Sequence, residues 1–152
     1  MYHKVAKNYC TILGLGFVSK MPGTLGSLVG LLITGLSLTL VNYYFLLIFL
    51  FIIFILSIIF IYVYQLKEGK SDKSEIIIDE FIGQSIVLLF FDVNFLNLLL
   101  AFILFRFFDI FKFFPVNYID KKYSGPIGVI IDDILAAIQA IIVLYVIIYF
   151  IK

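Results

Sequence analysis

Phe105 to Asp133 reads FRFFDIFKFFPVNYIDKKYSGPIGVIIDD, which sets Arg106, Asp109, Lys112, Asp120, Asp132 and Asp133 among residues apolar enough to enter a bilayer. Upstream, EIIIDEFIGQ adds the adjacent acids Asp79 and Glu80. A charge beside or within hydrocarbon is expensive, so it usually has a task and a partner. Clustered carboxylates in a dry place repel one another and take up protons unless cations intervene. Three arrangements meet that demand. The acids pair structurally with Arg106, Lys20 and Lys112, or they line a proton or ion pathway, or they hold Mg²⁺. Mg²⁺ is a hard cation that takes carboxylate oxygens and shares its shell with water and substrate phosphate. With lysine and arginine nearby, the third arrangement is equipment for phosphoryl chemistry, in which metal activates water and cations offset charge on the transferring group.

Other phosphatase chemistries lack their residues. His3 is the sole histidine and is too isolated for a phosphohistidine. Cys10 is followed six positions on by Gly16, where a thiol-phosphate route needs arginine. There is no Asp-x-Asp pair for an aspartyl nucleophile of the haloacid-dehalogenase type. The DG…AR…G…D…D signature of the CDP-alcohol phosphatidyltransferases is also missing.

The elements that must position these charges are membrane segments. The chain is 64% hydrophobic, with a mean hydropathy of +1.18, against roughly half apolar in soluble domains. Its 152 residues suffice for one domain, taken as 1–152. The net charge of +1 is uninformative about nucleic acid, no basic tract is present, and no nucleic-acid partner is expected. One cysteine excludes an intrachain disulfide and a thiolate cage. The expectation is an all-α, multi-helix integral membrane protein with about five membrane segments.

Those segments fall at residues 25–41, 43–64, 76–91, 95–114 and 130–151. The second is the clearest span, with tyrosines at both ends as interfacial anchors. Residues 5–15 suit a short interfacial helix. Residues 14–27 (GLGFVSKMPGTLGS) suit a loop in which Thr24 or Ser27 caps the next helix and the helix N-terminus favours phosphate. Residues 65–75 suit a solvated connector. Within 76–91, Asp79 and Gly83 share one helical face, and Gly83 permits close approach by a neighbour. Arg106, Asp109 and Lys112 line one stripe of the fourth helix, which ends at Pro115. Residues 116–128 form a loop, and Asp132 and Asp133 lie in the first turn or two of the last span. With the N-terminus in the cytoplasm, only Lys152 of the basic residues falls outside. The same threading gathers the acids at the cytoplasmic ends.

Three blocks, GLGFVSKMPGTLGS, IIIDEFIGQ and FRFFDIFKFFPVNYID…GPIGVIIDDILAAIQA, resemble in order those of the phosphatidylglycerophosphatase A family of bacterial lipid phosphatases. The resemblance implies an all-helical fold in the inner (cytoplasmic) membrane. It also implies Mg²⁺-dependent hydrolysis of phosphatidylglycerophosphate to phosphatidylglycerol during phospholipid biosynthesis, with the site facing the cytoplasm. By matching position it assigns Asp79, Glu80, Asp109, Asp132 and Asp133 to catalysis and metal, with Asp120 as a sixth candidate. Lys20, Thr24, Arg106 and Lys112 are assigned to substrate phosphate. The chain departs from the family pattern at Ser19, Phe113, Gly125-Pro126 and Ala137, which affects loop shape and helix packing but not charge. The alternatives are a phosphatase for another lipid or prenyl phosphate, and a non-enzymatic helical membrane subunit or carrier.

Overall fold

Caps and helix breakers decide where each element starts and stops. The computed structural model describes residues 2–69, 73–123 and 125–151, apart from the side chains at 120 and 121. Among the described residues there are seven α-helices and no strand: α1 (Tyr2–Cys10), α2 (Pro22–Leu40), α3 (Tyr43–Glu68), α4 (Ile78–Leu88), α5 (Phe95–Phe111), α6 (Val116–Lys122) and α7 (Pro126–Ile151). The Asn42 side chain accepts a hydrogen bond from the Tyr44 amide at 3.0 Å and opens α3. Asn94 does the same for α5 through the Asn97 amide at 2.9 Å.

Four local expectations change. Pro22 occupies the start of α2, where its fixed φ suits the first helical position. Residues 22–27 are therefore helix and not loop, and neither Thr24 nor Ser27 caps it. Lys112 takes a left-handed φ of 44° and leaves α5, so it does not extend the Arg106–Asp109 stripe. The connection over residues 116–128 contains α6. The last helix, α7, begins at Pro126 and not at residue 130, which still leaves Asp132 and Asp133 within about its first two turns, as expected.

Three helices, α2, α3 and α7, are long and apolar enough to cross a membrane by length and composition. This differs from the expected five segments. The 11 residues of α4 reach only about 17 Å at 1.5 Å per residue, against about 30 Å of hydrocarbon. The 17 residues of α5 reach about 26 Å. Exposed Ile48, Phe51, Ile142 and Tyr149 give the long helices outer faces suited to hydrocarbon.

Small residues draw α2 onto α4. A Cβ added at Gly26 would fall 2.6 Å from the Ile77 carbonyl oxygen, and one at Gly30 would fall 2.7 Å from that of Phe81. One turn further, Thr34 donates to Ser85 across the same seam at 2.8 Å. Close backbone approach and an interhelical hydrogen bond are what associate helices when lipid removes the hydrophobic drive. Gly83, as expected, lets a neighbour in: its Cβ would lie 2.6 Å from the Phe105 ring of α5 and 3.2 Å from the Asp133 carbonyl of α7.

Hydrogen bonds also fix the relative heights of the helices. Tyr43 at the start of α3 donates to the Leu89 carbonyl just past the end of α4, at 3.3 Å. At the other end of α4, the Ile77 amide donates to Cys10 at 2.9 Å, while neighbouring Tyr9 donates to Ile53 of α3 at 2.9 Å. The start of α4 thus lies level with the middle of α3.

Candidate active site

Three helices deliver the charged groups to one place. Asp79 and Glu80 occupy the first turn of α4, Arg106 and Asp109 the end of α5, and Asp132 and Asp133 belong to α7. All five acids line one cavity of about 120 Å³, together with Lys73 and Lys112.

Asp79, Glu80 and Asp133 each offer an oxygen to a cluster whose members all lie within 4.8 Å of one another. Asp79 is only 5% exposed and Asp133 only 4%. Asp109 and Asp132 are held by cations. Arg106 Nη1 bonds Asp109, and Lys112 Nζ donates to Asp132 Oδ2 at 2.8 Å. The left-handed turn at Lys112 carries that side chain across to α7.

Arg106 is itself held in place. Its Nη1 donates to Ser27 Oγ at 3.3 Å and lies 4.0 Å from Glu80 Oε1. Ser27 in turn donates to the Gly23 carbonyl at 2.9 Å, which orients its oxygen toward the guanidinium. The bare Cα of Gly23 makes room for both partners, because a Cβ there would fall 2.1 Å from Glu80 Oε1 and 3.1 Å from Arg106 Nη2. The main-chain amides of Glu80 and Asp133 donate to Asp79 Oδ1 and Asp132 Oδ1, each at 3.1 Å.

Among the described residues, acids outnumber the cations at the site. The five carboxylates stand with Lys112 and Lys73 in the cavity and Arg106 beside it, and Lys73 also reaches Glu68 at 3.7 Å. Glu80 Oε2 is buried with no hydrogen-bond partner among the described residues. A hard divalent cation fits this donor set, since clustered carboxylate oxygens are what Mg²⁺ takes. Asp79, Glu80 and Asp133 are the residues that would hold it.

Cys10 lies behind Asp79 and is fully buried. Burial, reinforced by the Asp79 charge, pushes its thiol up to about 12, so it is not a thiolate at neutral pH.

Of the groups expected to meet phosphate, Arg106 and Lys112 are at the acidic centre. Lys20 is exposed and Thr24 half-buried, and neither lines the cavity. The Asp120 side chain lies outside the described residues. Ser27 and Lys73 were not foreseen as site residues. Lys73 sat in what reads as a solvated connector. Ser27 sat in an expected loop, although its spacing of four from Gly23 is a helical signal once Pro22 is taken as a first-turn residue.

The fold and site define a helical membrane protein with a recessed cavity that is acidic at its centre and flanked by arginine and lysine. Residues 8–148 match the family model for phosphatidylglycerophosphatase A. The phosphatidylglycerophosphatase A of Haemophilus influenzae is 40% identical over 137 residues, covering 90% of this chain and 84% of that protein. That of Escherichia coli is 31% identical over 142 residues, covering 87% and 77%. No solved structure matches the chain significantly. The chain belongs to the phosphatidylglycerophosphatase A family.

Proposed function

We propose that this protein hydrolyses phosphatidylglycerophosphate to phosphatidylglycerol and phosphate, that it requires Mg²⁺, and that it works from the cytoplasmic side of the bacterial inner membrane. The observation that carries the proposal is the meeting of Asp79, Glu80 and Asp133 within 4.8 Å, beside cations already oriented by Asp109 and Asp132, in a chain of this family. A divalent cation held by the three acids would supply charge neutralisation at the phosphate and an activated water.

The chain's own residues do the rest. Asp109 and Ser27 fix the plane of the Arg106 guanidinium, a fork suited to two phosphate oxygens. Asp132 anchors Lys112, whose side chain is 28% exposed and so remains open to a headgroup. Val129 and Ile76 in the cavity wall limit water around the reacting group.

The test is phosphate release by the purified protein from a panel of lipid phosphates in mixed micelles, with Mg²⁺ and with chelator. Preference for phosphatidylglycerophosphate and loss of release on chelation are expected. Equal release with chelator present would refute the metal requirement, and faster turnover of another lipid or prenyl phosphate would refute the substrate assignment.

A further inference from the structure

A second cavity, of about 550 Å³, lies between α3 on one side and α4 and α7 on the other. Among the described residues, no polar side chain lines it. Leu47 and Phe51 of α3 form one wall, Ile82 and Ile86 of α4 the other, and Ile134 of α7 also lines it. Ile134 follows Asp133 directly, and Ile82 lies one helical turn below Asp79. The groove and the acidic cavity are therefore built on neighbouring turns of the same two helices, α4 and α7. The groove follows α4 from Ile82 to Leu89, a run of about 10 Å.

We infer that this groove holds one acyl chain of the same lipid whose phosphate occupies the acidic cavity. This rests on the reading of the protein as a lipid phosphatase. Three observations fix the occupant. A gap of this size left empty forfeits dispersion contacts on every wall. At this depth, beside exposed Ile48 and Phe51, the available filler is hydrocarbon, and a wholly apolar lining gives water nothing to bond. The groove also shares two helices, in register, with a site built for phosphate, so one molecule with an anionic head and an apolar tail fits both.

The groove sets position more than affinity. A chain leaving bulk lipid for the groove exchanges one hydrocarbon surface for another, with no hydrophobic gain. What it contributes is registration of the headgroup against Arg106 and the three acids. The expected signature is a dependence on chain length that disappears when the groove is filled.

The experiment uses the full chain in nanodiscs with phosphatidylglycerophosphate carrying a photoactivatable diazirine in one acyl chain, followed by peptide mapping. Label is expected on residues 82–89 and 47–54. Excess unlabelled phosphatidylglycerophosphate should suppress it, and excess phosphatidylcholine should not. In parallel, Leu47→Trp and Ile48→Trp should lower the preference for dipalmitoyl over dihexanoyl substrate, read as the kcat/KM ratio, by roughly three- to tenfold, as befits a term without hydrophobic drive. Ile59→Trp, exposed on α3 outside the groove, should leave the ratio unchanged. Label spread evenly over the lipid-facing helices, or an unchanged ratio in both groove variants, would overturn the inference. So would a shift in oligomeric state in those variants, which would mark the groove as a contact with a second copy. Labelling does not depend on turnover. Competed label without phosphate release would leave the groove standing and remove the phosphatase reading; turnover with uncompeted label would do the reverse.

Discussion

Replacing Gly23 with alanine separates a fitted active site from a merely adjacent one. The new Cβ would lie 2.1 Å from Glu80 Oε1, where ordinary contact begins at 3.4 Å, so the carboxylate must retreat by about 1.3 Å. The obstructing atom is the far end of a flexible side chain, and alanine gains about 1 kcal/mol of helix propensity over glycine. Net stability should therefore change by less than about 1 kcal/mol. Catalysis should not be so forgiving, because a misplacement of about 1 Å at a reacting centre can cost roughly a hundredfold. Gly26→Ala and Gly30→Ala are the comparison. Their Cβ atoms would meet main-chain carbonyls at 2.6 and 2.7 Å. Neither carbonyl can rotate away, so α2 and α4 must part, at a cost typical of overpacking, about 1–3 kcal/mol. The assay is kcat for phosphate release at saturating lipid and Mg²⁺, alongside thermal unfolding of each purified variant. Gly23→Ala should lose about two orders of magnitude in kcat and keep its Tm, while the other two lose Tm first. Wild-type turnover by Gly23→Ala, or a Tm loss equal to that of Gly26→Ala, would show that α2 does not place Glu80.

Further outcomes follow from the same geometry. Asp79→Asn and Asp133→Asn should abolish turnover and Mg²⁺ binding measured by calorimetry, while the protein still inserts and folds; retained binding in both would move the metal elsewhere. Arg106→Lys should lower kcat by about 10²–10³, the usual loss for one donor at a developing charge, whereas Lys112→Arg should stay within about tenfold because charge and reach survive; equal effects would contradict the forked contact. Lys20→Ala, outside the cavity, should leave kcat unaltered and alter KM alone. Cys10→Ser should be fully active and the native protein resistant to maleimide at pH 8, since the thiol is raised to about 12 and stays protonated there; in that background Lys67→Cys should label from the cytoplasmic side and Asn94→Cys from the other, and the reverse pattern would invert the proposed topology.

Much of the site was legible because charge in an apolar chain is conspicuous. Asp79, Glu80, Arg106, Asp109, Lys112, Asp132 and Asp133 stand out from their neighbours, and one helix or turn apiece brings them together. Which acid pairs with which cation was not legible. It depends on the left-handed backbone at Lys112 and on the crossing of α5 and α7 at Gly83, both tertiary facts. Helix ends were misjudged where hydropathy outruns hydrogen bonding. Residues 89–91 are as apolar as α4 itself, yet the helix closes at Leu88 in a turn. Phe113 and Phe114 resume the apolar run of α5 after its helix has ended. Ser27 was hidden by its glycine-rich surroundings, which look like loop until the partner helix that needs them is known.

The short α4 explains how five acids are tolerated in so apolar a chain. Had α4 spanned the full depth of α3, Asp79 and Glu80 would stand at a membrane surface, where water alone would solvate them. Instead α4 begins level with Ile53, near the middle of α3, anchored there through Tyr9 and Cys10 of α1. A helix that starts part-way down leaves its first amides unsatisfied by its own backbone, and irregular backbone at such depth survives only where protein or a polar cavity receives it. Here the Ile77 amide is received by Cys10 and the Glu80 amide by Asp79 Oδ1. The positive end of the α4 dipole then points at the carboxylates of its own first turn, while burial, reinforced by the Asp133 charge, pushes the Glu80 carboxyl up to about 8. The recess that makes the acids costly to desolvate also removes bulk water from the phosphate they would act upon, and in a drier site each oriented charge on Arg106 and Lys112 counts for more. On that account, lengthening the buried approach above α4 without altering any charged residue would slow substrate access while leaving the chemical step intact.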